Sequence, residues 1–253
     1  NIEFVIIDDG STDKTLEIAS KFAANDNRFR VIHQENKGTA AARQTGMNAS
    51  RGQYIIICDS DDWVEPNMYE LMYNQAVSCN ADIVICQYRY EYSGNRHRDY
   101  VHIFKDLSGP SFIKEMMSSS ANNVSVNKLV LRDLFVRNNI SYDLDVNLGE
   151  DMLILYKLLL LSPNVVQIPN VLYHYRRTDN DNSMTRQITM ERVRQSEYIF
   201  NWIRSNYSDT QYNKYIFTND VDHGFTCMRA VDFDISEFKR LISKLSWKDF
   251  CSH

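Results

Sequence analysis

The chain has 253 residues, of which 43% are apolar and 24% charged, with a formal net charge of −5. These values suit a globular protein with a sizeable core, and with no basic stripe they give no support to nucleic acid as a partner. The longest apolar run, 152–163 (MLILYKLLLLSP), is broken by Lys157 and reads as a core helix rather than a membrane span. No signal-peptide pattern is present, so the expected location is the cytoplasm. Cys58, Cys79, Cys86, Cys227 and Cys251 form no CxxC pair, which argues against a zinc knuckle or redox motif. Cys58 and Cys86 lie in apolar runs and are expected as buried, reduced thiols.

In chain order, 3–8 (EFVIID) predicts a strand and 13–24 a helix with apolar positions at Leu16, Ala19, Phe22 and Ala23. Ser11, Thr12 and Asp13 are each suitable helix caps. A short strand RFRVIH follows, then a helix over GTAAARQTGMNAS whose Ala42, Gly46 and Ala49 share a small-residue face. QYIIIC predicts a strand, 66–79 a helix with Pro66 in its first turn, and ADIVIC another strand. This alternation predicts an α/β fold with a mostly parallel, Rossmann-like central sheet flanked by helices. The segment 88–104 reads as a strand pair turning at Ser93-Gly94-Asn95. Helices are expected in SGPSFIKEMMSSS, NKLVLRDLFVRNN and LGEDMLILYKLLLLSP, and short strands in VVQIP and VLYHYRR. From about Gln187 the pattern is helical, clearest in MERVRQSEYIFNWI and again near 236–245. The expected division is a catalytic domain over 1–185 and a helical C-terminal extension over 186–253.

Ligands of such folds gather beyond the carboxyl ends of the strands, where this chain places acids. Asp59 and Asp61, two apart on extended chain, point the same way. Two close carboxylates repel unless a proton or cation intervenes, and Mg²⁺ typically takes one or two carboxylates plus substrate phosphates. An acidic loop leading into the helix after Pro66 is the other reading of the same residues. Asp8 and Asp9 suit either a helix cap or a contact to a nucleotide base or ribose. Arg43, on the Ala-rich helix, suits a phosphate or a solvated face. Glu150 and Asp151 open a helix, where the dipole favours acids and where a general base could stand. YHYRRTDNDNSMT offers His174, Arg176 or Arg177 as donors to a diphosphate. Neither GxGxxG nor GxxxxGK[ST] occurs, so a dinucleotide or P-loop site is not supported.

Taken together, FVIIDDGSTDKT, NKGTAAARQTGMNASRGQYIIICDSDDWVEP, NKLVLRDLF, LGEDMLILYKLL and YHYRR with Ser183 follow one another as in family 2 glycosyltransferases of the GT-A fold, which this chain resembles from Ile2 to about Ser183. The resemblance implies an inverting, metal-dependent hexosyltransferase using a UDP-sugar, with Mg²⁺ or Mn²⁺ as cofactor. It implies that Asp8 and Asp9 contact the uridine, Arg43 the nucleotide, and Arg176 the donor. Asp59 and Asp61 become the DxD metal motif, Asp62 its extension, Asp151 the catalytic base and Trp63 a wall of the donor-sugar pocket. The acceptor it implies is a saccharide or lipid-linked saccharide, and the place of work the inner face of the plasma membrane, with peripheral contact there. The family usually starts with an earlier strand of the type VSIIIPVYN, expected here upstream of Asn1. A nucleotidyltransferase would want a glycine-rich phosphate loop that is not visible. An inactive nucleotide-sugar-binding scaffold is the non-enzymatic alternative.

Overall fold

The computed structural model describes residues 1–104, 108–118, 124–177, 190–207 and 212. The helix expected near 236–245 and residues 178–185 of the YHYRR loop lie outside them. The order is β1 (Phe4–Asp9), α1 (Thr15–Asn25), β2 (Phe29–Gln34), α2 (Thr39–Ala49), β3 (Tyr54–Ile55), β4 (Trp63–Val64), α3 (Met68–Cys79), β5 (Ile83–Tyr92), β6 (Arg96–Tyr100), α4 (Gly109–Ser118), β7 (Lys128–Leu131), α5 (Arg132–Arg137), α6 (Glu150–Leu159), β8 (Val165–Arg177) and α7 (Met190–Asn206). The α/β class expected from the alternation is the one found. β1 and β2 pair in parallel as a two-stranded sheet. The larger sheet has the order β3-β7-β5-β8-β4, with β6 hung on β5. There parallel pairing is confined to β5–β8, and the other ladders are antiparallel.

Three differences from the sequence reading have local causes. VVQIP and VLYHYRR form one strand, β8, with an irregularity: Ile85 pairs with Gln167 but Gln87 with Val171. Pro169 lies in the skipped stretch, where its missing N–H costs no ladder bond. NKLVLRDLFVRNN opens with β7 before its helix begins at Arg132. Cys58 is exposed rather than buried; the ladder of β3 ends at Ile55, so its thiol lies at the rim. Cys86 is buried as expected, and the cysteines described are free thiols.

The sheet is covered on both faces, as near-continuous apolar strands require. Ile83 and Ile85 of β5 pack with α4, α5, α6 and α7 around Phe112, Leu134, Leu155 and Tyr207. Val84 and Cys86, one residue out of phase, pack with Met68, Met72 and Ala76 of α3. Ile199 and Ile203 of α7 belong to the same core as α6. Among the described residues no helix is long and apolar enough to cross a membrane.

Candidate active site

β1 ends on Asp8 and Asp9, whose side chains point opposite ways. Asp8 is buried, and its Oδ2 lies 2.6 Å from His33 Nδ1 on the neighbouring strand. The Ser11 and His33 side chains hold its carboxyl below the usual range. Asp8 Oδ1 is buried without a partner at hydrogen-bond geometry. Asp9 is fully engaged: it accepts bonds from Gln34 Nε2 at 2.7 Å, the Lys37 N–H at 3.0 Å and the Gly38 N–H at 2.9 Å. It therefore fixes the loop that launches α2. Gly38, at φ +85°, could not carry a side chain without striking Asn147.

Arg43 projects from α2 and is 12% exposed. One arm donates to Asp59 Oδ1 at 3.1 Å, and the other lies 2.8 Å from Glu150 Oε1. That second contact is an ion pair without hydrogen-bond alignment. Burial works against the guanidinium charge, but Glu150, Asp151 and Asp59 outweigh it and raise the pKa above the ordinary value. A single cation thus ties the turn after β3 to the first turn of α6, a junction between residues more than 90 positions apart that no local pattern announces.

The turn 59–62 gathers three carboxylates. Tyr173 of β8 donates to Asp62 Oδ2 at 2.6 Å and accepts from the Asp59 N–H at 3.2 Å. The Arg176 N–H donates to Asp62 Oδ1 at 2.8 Å. Burial pushes Asp62 up to about 6; these two bonds oppose the rise, and the charges of Asp61 and Asp59 add to it. Asp61 is exposed and makes no hydrogen bond or ion pair with the described residues. Asp62 therefore clasps the turn to β8, while Asp61 and the second oxygen of Asp59 make no hydrogen bond with the described residues.

On α6, Glu150 is buried and Asp151 keeps a partly open face. Burial raises both pKa values; Asp151 raises Glu150 further, and Arg43 lowers both. Asp151 Oδ1 accepts the Met152 N–H at 2.8 Å. The preceding loop is held from two sides. Asn147 Oδ1 caps α2 at the Ala40 N–H, 3.2 Å away, and Gln195 Oε1 of α7 accepts the N–H groups of Asn147 and Leu148 at 3.1 and 3.0 Å. Lys128 of β7 is buried, and burial drops its pKa to about 7, against the pull of Asp151 and Cys86.

The structure thus brings Arg43, Asp59, Glu150 and Asp151 together, with Asp61 and Asp62 on the same turn as Asp59. Asp8 and Asp9 stand at the end of the neighbouring β1–β2 sheet. Arg176 reaches the turn through its backbone rather than its guanidinium. His174 and Trp63 differ from expectation. His174 is enclosed by Glu91 at 2.7 Å and Glu65 at 3.0 Å, so it is no diphosphate donor. The Trp63 ring stacks on His174 at 5.3 Å, on the opposite face of the ladder from Tyr173. Sequence reasoning missed Glu150 as a partner of Arg43, and also Tyr173, Asn147, Gln195 and Lys128.

A divalent cation is implied by the DxD pattern. No group of three or more His, Cys, Asp or Glu side chains is poised for a metal among the described residues. The donors present, one free carboxylate and one shared with Arg43, fit a hard cation that completes its shell with substrate phosphates, not a closed protein cage.

Residues 1–137 match the family described as glycosyl transferase family 2. EpsH of Bacillus subtilis is 32% identical over 97% of this chain and 73% of that protein. The glycosyltransferase GlyG of Streptococcus pneumoniae is 37% identical over 70% of this chain and 62% of its own. The chain thus spans only part of the length of these relatives. The crystal structure of S. aureus TarS 1–349 in complex with UDP-GlcNAc superposes with a TM-score of 0.65 at 18% identity, over 80% of this chain and 57% of that one. The chain belongs to glycosyl transferase family 2, and its α/β architecture is that of the GT-A glycosyltransferases.

Proposed function

We propose that the protein transfers a sugar from a UDP-sugar to an acceptor hydroxyl with inversion at the anomeric carbon, in surface polysaccharide or glycolipid synthesis at the inner face of the plasma membrane. The observation that carries this reading is the bridge made by Arg43, which joins the DxD turn to the helix bearing the base. The site then has a charge-binding side and a proton-accepting side, joined through Arg43.

Asp8, buried at the end of β1, stands beside the uridine, while Asp9 shapes the loop there. Asp61, with Asp59, would hold Mg²⁺ or Mn²⁺, which when bound neutralises the diphosphate leaving group. Arg43 keeps Asp59 oriented. Asp151 takes the proton from the acceptor hydroxyl as that oxygen attacks the anomeric carbon from the side opposite the departing UDP. Burial makes Asp151 a stronger base than a solvated carboxylate, and Arg43 and Lys128 favour its ionised form.

Isothermal titration with UDP and Mn²⁺, followed by a transfer assay over a panel of UDP-sugars, tests the reading. Asp151→Asn is expected to lose about 10²–10⁴-fold in turnover while keeping UDP affinity. Equal loss of both would remove Asp151 as the base. Asp61→Ala is expected to abolish the Mn²⁺-dependent part of UDP binding, and an unchanged titration would remove the metal role.

A further inference from the structure

Beyond the cleft, β5, β6 and β8 run on as a ribbon whose two faces differ in charge. On one face Tyr88 pairs across the ladders with Tyr100 and Tyr173, Tyr90 with Arg98 and Tyr175, and Tyr92 with Arg96 and Arg177. These strand positions hold tyrosines and arginines and no acid. On the other face acids and bases are mixed: Arg89 pairs with Asp99, and His174 lies against Glu91, whose ladder partner Arg176 is exposed and forms no ion pair with the described residues. On the tyrosine face, Arg98 and Arg177 are exposed and form no ion pair with the described residues. Instead they lie over rings: the Arg177 guanidinium is 4.4 Å from the centroid of Tyr90, and that of Arg98 5.5 Å from Tyr100. The Tyr90 and Tyr100 rings are themselves 5.2 Å apart. At its inner end Tyr88 and Tyr173 are buried, and Tyr173 there clasps Asp62, so the partly exposed rings of Tyr90, Tyr92, Tyr100 and Tyr175 begin one residue pair beyond the turn 59–62.

From this arrangement we infer that the tyrosine face is the track along which the acceptor lies, and that the acceptor is a pyranose chain bearing carboxylates. The inference rests on the transferase reading for the word acceptor, and on the ribbon alone for the ligand class. Tyrosine rings give sugar rings a flat apolar surface at low entropic cost. A guanidinium held flat against such a ring keeps its in-plane donors free and matches a carboxylate in bidentate fashion. Two cations that no acid among the described residues answers, each beside a ring, therefore ask for a sugar that carries its own negative charge. A polyol phosphate chain supplies the charge but no ring to lay on the tyrosines.

The test is calorimetric titration of the full chain with a hexasaccharide of alternating glucuronate and N-acetylglucosamine. The same hexasaccharide with its carboxyls reduced to alcohols and a glycerol phosphate oligomer are run beside it. The expected result is binding of the charged hexasaccharide, weakened at least about tenfold by carboxyl reduction and again by the double variant Arg98→Gln/Arg177→Gln, while the single variant Arg98→Gln keeps its UDP–Mn²⁺ titration unchanged. Equal affinity for the reduced hexasaccharide, no loss in the double variant, tighter binding of the glycerol phosphate oligomer, or no hexasaccharide binding by protein that binds UDP would each overturn it. Hexasaccharide binding with the expected dependence on both arginines, in protein that fails to bind UDP, would support the ribbon assignment and overturn the transferase reading instead.

Discussion

Arg43 is the residue on which the charges of the cleft balance. It lies between Asp59 and Glu150, with Asp151 adding to its field. Replacing it with methionine leaves three carboxylates facing one another in a partly desolvated hollow. Breaking one side of a buried ion pair typically costs about 3–5 kcal/mol, and urea denaturation of Arg43→Met is expected to show a loss of that order. Because Arg43 lowers the pKa values of both Glu150 and Asp151, its removal should also carry the acid limb of the rate–pH profile to higher pH. An unmoved limb would mean that Arg43 does not face the base. The carboxylates themselves were legible in the sequence, since acids at strand ends stand out. Their partners were not: tyrosines, an asparagine and a glutamine mark no site until distant strands and helices bring them to it. Arg176 shows a further blind spot, because it serves through its N–H, a group every residue but proline possesses.

At the scale of elements, the alternating half of the chain was read closely from β1 to α2, because strand and helix periods differ plainly there; beyond it the strand expected in QYIIIC shrinks to the two residues of β3, and β4 was not expected. β7 escaped notice because it opens on Lys128 and is only four residues long, and a lysine reads as solvent-facing until it proves to be buried. β8 was split in two because Pro169 breaks the pattern of a strand that nevertheless continues. The loop before α6 was legible only in its acids, while its anchors come from α2 and α7. Gln195 holds two of its N–H groups and Ile199 presses on Gly149, where an added Cβ would come within 2.9 Å of Ile199 Cδ1. Gln195→Ala leaves those two N–H groups without their acceptor. The expected outcome is turnover reduced about tenfold with the Kd for UDP unchanged, since the base moves while the donor wall does not. A matched fall in UDP affinity would show that Gln195 acts on the donor side as well.

At the scale of the whole molecule, Lys128 couples global stability to pH. It donates to Asn127 Oδ1 at 2.9 Å and forms no ion pair with the described residues. Its pKa falls from the ordinary 10.5 to about 7 on folding. Between those values the unfolded chain binds the proton and the folded chain does not, so stability should rise as pH is raised from about 7 towards 10. Lys128→Met should flatten that slope and gain a few kcal/mol at pH 7, less whatever the orphaned acceptors cost. An unchanged slope in chemical denaturation across this window would mean that the lysine stays charged when folded. The stacked pair of Trp63 and His174 has its own consequence. The indole begins the strand that leaves the DxD turn, is 44% exposed, and rests on an imidazole clamped by two glutamates. Any shift of that turn when a cation and pyrophosphate arrive must slide the indole across a fixed partner. On the proposed function the protein therefore carries an intrinsic fluorophore beside its donor site, and donor capture should be measurable in real time by light emission without a label.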